Sequence, residues 1–205
     1  MIRSCLKLLS IVFLSLWLVS CSTPTFNTSD ELTEYITADD SEYLVSKVVN
    51  GVDFSMLYRP TDLLVFQELG TGYTPEEVDS LRSKYGSYLY FNLSMSKNNQ
   101  ELLNGLAADR NRFGAMVNTL AFGMENKLNL ITAARDTVAL ADYVYPRMYG
   151  MSRSTTMMLV YPKEEVERAE GDDFIITLQD LGFGTGEVSF KFPKTVFIDQ
   201  PGIEF

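Results

Sequence analysis

The stretch "YLVSKVVNGVDFSMLYRP", Tyr43 to Pro60, decides the fold. Asn50-Gly51 separates two runs rich in Val, Tyr and Phe. Both central residues of a type I′ turn need positive φ, and Asn-Gly supplies them at least cost. Pairing outward from the turn sets Val49 against Val52, Val45 against Met56 and Tyr43 against Tyr58. Phe54 falls on the same face, opposite Lys47, whose aliphatic stem can lie along the ring. The register therefore predicts a hairpin with one apolar face, and Pro60 ends its second strand.

Helical signals follow. Thr61 or Asp62 stands where it can cap a helix over Leu63–Leu69, before Gly70. Thr74-Pro75-Glu76-Glu77 has the form of a capping box with proline at the first helical position, and Val78, Leu81 and Tyr85 make that helix's apolar stripe. "SYLYFNLSMS" then alternates, with Leu89, Phe91, Leu93 and Met95 on one face. Phe113, Met116, Val117, Leu120 and Ala121 recur at helical spacing within a segment from about Asp109 to Phe122. The remainder reads as strands at Lys127–Ala133, Val138–Tyr145, Thr155–Tyr161, Phe174–Gln179 and Val188–Phe192, with a short helix at Lys163–Ala169. Hairpins with a few interleaved helices predict an α+β fold, a mostly antiparallel β-sheet domain with three to four short helices. Its expected extent is 35–205, after a polar flexible tether at 21–34 and a signal segment at 1–20.

That segment carries Arg3 and Lys7 and no acid, followed by an apolar run from Leu8 to Val19. Twelve helical residues span about 18 Å, too little for a hydrocarbon core of about 30 Å. A basic start and a short apolar stretch describe an export signal rather than a membrane span. Leu18-Val19-Ser20-Cys21 resembles the bacterial lipobox. The resemblance implies cleavage between Ser20 and Cys21, a diacylglyceryl group on the Cys21 thiol and an acyl chain on the new amine. More than one chain holds a protein firmly at a bilayer. The expected address is the bacterial cell envelope, at the outer membrane, with the membrane contacted through the lipid on Cys21.

Composition removes many alternatives. The 205 residues hold 17 basic and 27 acidic side chains, a net charge of −10. Loss of residues 1–20 with Arg3 and Lys7 moves it to −12. An acidic surface repels nucleic acid, so no nucleic-acid partner is expected. Histidine is absent and there are two cysteines, Cys5 and Cys21. Ser-His-Asp and Cys-His catalysis and histidine-based metal sites are thereby excluded. No cofactor and no metal site are expected, and a non-enzymatic role is favoured over catalysis.

Four motifs invite chemical readings. "LGFGTGE", Leu181 to Glu187, spaces its glycines as G-x-G-x-G, which matches neither dinucleotide fingerprint nor P-loop. Lying between two predicted strands, it reads as a wide hairpin connection. Ser94-Met95-Ser96-Lys97 spells S-x-x-K, but it ends a strand where the acyl-enzyme motif opens a helix. The adjacent acids Asp39-Asp40, Glu76-Glu77, Glu164-Glu165 and Asp172-Asp173 are unsurprising among 27. "DYVYPRMYGMSRSTT", Asp142 to Thr156, differs from these. It concentrates Tyr143, Tyr145, Arg147, Met148, Tyr149, Met151 and Arg153, residue types enriched at protein interfaces, and it is the candidate partner-binding segment.

"YLVSKVVNGVDFSMLYRPTDLL", "RMYGMSRSTTMMLVY" and "LQDLGFGTGEVSFKF" are similar to segments of uncharacterised lipoproteins of the Bacteroides type. The resemblance implies an envelope lipoprotein and carries over no catalytic residue. The expected function is a lipid-anchored binding or assembly module for a protein or glycan. The alternative is a small carboxylate-dependent hydrolase acting on glycans, which requires two acids sharing a cleft.

Overall fold

A computed structural model describes residues 23–148 and 150–205. The expected lipidation and cleavage positions, Cys21 and Ser20, and the candidate Tyr149 lie outside these residues. The fold is α+β, with six α-helices and eleven strands among the described residues.

The opening hairpin forms as its sequence dictates. Strands β2 (Leu44–Val49) and β3 (Val52–Arg59) pair with Val49 opposite Val52, Lys47 opposite Phe54 and Val45 opposite Met56. Asn50 and Gly51 have φ of 50° and 71°. Val52, Phe54, Met56 and Tyr58 are all buried. Strand β4 (Tyr88–Lys97) pairs with β3, β8 (Thr155–Pro162) with β4, and the three-residue β7 (Asp142–Val144) with β8, giving a five-stranded antiparallel sheet in the order β2-β3-β4-β8-β7. A second sheet, β10-β9-β5-β6, comprises β5 (Leu128–Thr132), β6 (Thr137–Val138), β9 (Asp173–Leu178) and β10 (Val188–Pro193).

The sheets pack face to face. Phe91 of β4 lies 6.0 Å from Phe174 and 5.3 Å from Phe192, centroid to centroid, and these rings belong to the opposing sheet. Along β4, Leu89, Phe91, Leu93 and Met95 are fully buried, as the alternation predicts. Tyr90, on the other face, is buried as well, because Leu64 of α2 (Thr61–Glu68) and Tyr85 of α3 (Pro75–Gly86) cover it together with Val160. The run read as one strand over Val138–Tyr145 is instead two. β6 belongs to one sheet and β7 to the other, and 139–141 carry the chain between them. Alternation by itself does not mark such a crossing.

Of the four predicted helices, two begin at a side-chain cap and two, α2 behind Pro60 and α5 (Lys163–Arg168) behind Pro162, begin without one. Thr74 accepts from the Glu77 N–H, and the Glu77 carboxylate accepts from the Thr74 N–H, closing the capping box of α3. Asp109 accepts from Asn111 and Arg112 at the start of α4 (Arg110–Phe122). Neither Thr61 nor Asp62 caps α2. Its N-cap is Pro60, with no side-chain bond, and Asp62 turns inward to an arginine. Two further helices exceed the predicted number. One is the four-residue α6 (Thr195–Ile198), and the other corrects the reading of 21–34 as a tether.

From Thr25 onward that segment is folded. Thr28 caps α1 (Ser29–Thr37), whose Leu32 and Ile36 have no exposed surface. The sequence carried the signal, Thr28-x-x-Glu31 followed by apolar residues four apart. Ahead of α1, strand β1 (Thr25–Phe26) pairs in parallel with β11 (Gly202–Ile203). Pro24 accepts from the Gly202 N–H at 3.0 Å and Phe26 from the Glu204 N–H at 2.9 Å. The two ends of the described chain are thus joined beside α2.

The sheet therefore has two dissimilar ends. One, the terminal end, carries β1, β11, Pro60 and the Ser87–Lys163 backbone contact. The other, the turn end, carries Asn50-Gly51, the Asn98-Asn99 turn and the 145–154 segment, because Val52 pairs with Lys97 and Met95 with Thr155. At about 3.4 Å per residue, the eight paired residues between them span about 25 Å.

Candidate functional site

The candidate segment lies at the turn end. Where β7 finishes at Val144, Tyr143 and Tyr145 pack inward against the core, whereas Arg147, Met148, Met151 and Arg153 are exposed. The structure so divides the residues that the sequence grouped. Met151 is 80% exposed and Met148 40%. Neither arginine forms an ion pair among the described residues. Instead the Arg147 guanidinium stands over the ring of Phe122, 5.5 Å from its centroid. Phe122 is itself 68% exposed and ends α4. Sequence periodicity placed it at the helix terminus without showing that it faces this loop.

A buried carboxylate holds the segment in place. Glu101, 2% exposed, accepts from the N–H of Gly150 and from that of Ser152, both at 3.0 Å. The next residue, Leu102, donates its N–H to Thr155 Oγ1 at 3.0 Å. Two backbone donors converging on one anion fix the turn between Met148 and Arg153, and so fix which side chains it presents. Glu101→Ala removes the acceptor of both donors. The expected cost is about 2 kcal/mol in urea unfolding, from two part-buried groups left unpaired. Amide exchange at Gly150 and Ser152 is expected to accelerate; unchanged protection there would show that the loop holds without this anchor.

The glycine loop is the wide connection its sequence predicts, joining β9 to β10. It resembles an anion nest, but its own carboxylate fills it. Asp180 accepts from the N–H groups of Gly182 and Phe183 at 2.9 Å, Gly184 at 3.0 Å and the Thr185 hydroxyl at 3.2 Å. Burial opposes ionisation of Asp180, yet the bonds from Phe183, Gly182 and Thr185 outweigh it and hold the carboxyl below its usual range. A depressed folded-state pKa stabilises the loop above the ordinary carboxylate pKa and loses that contribution as pH falls through the folded value. Exchange of the Gly182–Gly184 amides, relative to intrinsic rates, is therefore expected to rise only below about pH 4. Asp180→Asn should flatten that dependence.

Asn50 links this loop to the first hairpin, donating from Nδ2 to the Phe183 carbonyl at 2.7 Å. Lys97 stands 5.7 Å from the Phe183 ring centroid. Ser94 and Lys97 thus finish a strand beside an aromatic ring, and no helix opens at the S-x-x-K motif.

The hydrolase alternative needs an acid held in protonated form. Glu68 and Glu77 share a cleft beside Leu69–Tyr73, but Glu77 caps α3 and Glu68 is bonded to Lys84 and Tyr85. Those bonds hold the Glu68 carboxyl below its usual range, the opposite of a general acid. Among the described residues no three Asp, Glu or Cys side chains converge as a metal site would require, and no helix is long and apolar enough to cross a membrane.

In comparisons with models of protein families, with curated proteins and with solved structures, the chain matches none.

Proposed function

We propose that this chain is a lipid-anchored protein of a bacterial envelope, tethered at the outer membrane through Cys21, whose turn end binds a protein or glycan partner. The observation that carries the binding role is the grouping of exposed Arg147, Arg153, Met148 and Met151 with Phe122, opposite the end at which the chain enters the fold. Methionine adapts to the shape of a partner, and arginine clamps carboxylates. The anchor rests on the lipobox-like Leu18–Cys21 and the short apolar run before it.

Each half has its own experiment. Fatty-acid labelling is expected for the wild-type chain in its native host and is expected to be lost in Cys21→Ser. Labelling that persists in the variant refutes the anchor. A photo-crosslinking residue placed at Met151 is expected to give an adduct in intact cells, and Arg147→Glu with Arg153→Glu to abolish it. Adduct formation indifferent to both charge reversals, or none at Met148 and Met151, refutes the turn end as the binding surface.

A further inference from the structure

Between α4 and the glycine loop the turn end holds a cleft of about 170 Å³, walled by Leu106, Ala115, Met116, Thr119 and Phe183, with Arg112 beside them. Its volume is below the range of about 300–1,000 Å³ usual for small-molecule sites. It has room for a single side chain. Its lining is mixed, with Leu106, Ala115, Met116, Leu181 and Phe183 beside Arg112, Thr119 and Gly182. The Gly182 N–H in the lining is already donated to Asp180, leaving the Arg112 guanidinium and the Thr119 hydroxyl. A sugar ring carries more hydroxyls than these two groups can bond, and each one buried unbonded costs kilocalories. The exposed aromatic next to it offers no open platform either, since Arg147 already lies over Phe122.

The cleft is continuous with the candidate surface. Ala115, Thr119 and Phe122 follow one another at i, i+4 and i+7, so one helix face runs from the cleft to the ring under Arg147. Charge is distributed unevenly here. Segments 109–122 and 142–156 hold Arg110, Arg112, Arg147 and Arg153 against two acids, Asp109 and Asp142, in a chain of net charge −10. Asp109 is engaged as a helix cap. Lys97 adds a further cation across Phe183. Arginines outnumber acids on these two segments, so a carboxylate of a partner meets cations here.

We infer that the cleft is a socket for one leucine-, methionine- or phenylalanine-sized side chain of an acidic protein partner, whose flanking carboxylates meet Arg112 and Arg147. This rests on the reading of the turn end as a binding surface and narrows its partner from protein or glycan to protein.

The test uses the full chain in zwitterionic lipid nanodiscs, labelled at methionine methyl groups. Met116 lines the socket, Met148 and Met151 mark the surrounding surface, and Met157, buried in the core, reports the fold. The probes are a 15-residue peptide alternating Glu and Leu, its Glu-Ser and Gln-Leu counterparts, and an oligogalacturonate as anionic sugar. The Glu-Leu peptide is expected to shift the Met116 methyl and leave Met157 unmoved. Ala115→Phe, which fills the socket from an exposed helix position, and Arg112→Glu are each expected to weaken that binding about tenfold or more. An equal Met116 response to the Glu-Ser peptide, the Gln-Leu peptide or the sugar overturns the acidic-protein socket. A response at Met148 and Met151 with Met116 silent overturns the socket but leaves the binding surface standing. Silence at all three methyls overturns both.

Discussion

Phe91→Ala is expected to destabilise the protein by about 3–5 kcal/mol, the range for deleting a buried aromatic ring that its surroundings cannot close over. Phe91 has no exposed surface. Its ring lies 5.4 Å from Tyr58 and 6.3 Å from Tyr161 within its own sheet, and touches Phe174 and Phe192 of the other. The rings around it are held by strands on both sides, so collapse into the gap requires two sheets to move together. Urea unfolding should show a lower midpoint with an unchanged slope, the signature of lost stability rather than a changed unfolded state. A loss under about 1.5 kcal/mol would mean that the sheets close readily and that the interface is more pliable than its packing indicates.

The second large effect belongs to Asp62. Its Oδ1 accepts from Arg82 Nε at 2.8 Å, and its Oδ2 accepts from Arg82 Nη2 at 2.7 Å and from the Ile203 N–H at 2.8 Å. The Asp62 side chain is 10% exposed but that of Arg82 is 42%. Removing one partner of a fully buried pair costs about 3–5 kcal/mol, and solvent access to the arginine reduces this to about 2–3 kcal/mol. The loss in Asp62→Ala should concentrate at the terminal end. Amides of Gly202, Ile203 and Glu204 are expected to lose protection while those of β4 keep theirs. Uniform loss across both regions would show that this end does not open by itself.

What the sequence made legible was local. The hairpin register follows from two residues in the turn and alternation on either side, and the α3 capping box from four consecutive residues. Asp62 shows where local reading stops. A carboxylate at a helix start serves equally as a cap or as a partner for a distant cation, and only the fold brings Arg82 and Ile203 to it. Glu101 sits in "NNQELLNG" without a motif to mark it, because its partners are backbone groups some 50 residues on. The candidate segment stood out by composition, yet inward Tyr145 and outward Arg147 differ only in how the chain leaves β7. The β1–β11 pair joins opposite ends of the chain through two residues each, too short for any periodicity.

That small pair governs how load would travel through the molecule. For a chain held by lipid at Cys21, four residues lead to Thr25, a leash of at most about 14 Å. A partner gripped at the turn end then pulls along the strands of the large sheet, about 25 Å away. The tension reaches the bilayer through β1 alone, whose bonds to β11 run from Pro24 to Gly202 and from Phe26 to Glu204. In a chain so anchored, the short leash would limit how far the turn end can stand from the lipid. The two bonds of the β1–β11 clasp would then lie nearest the point of pull.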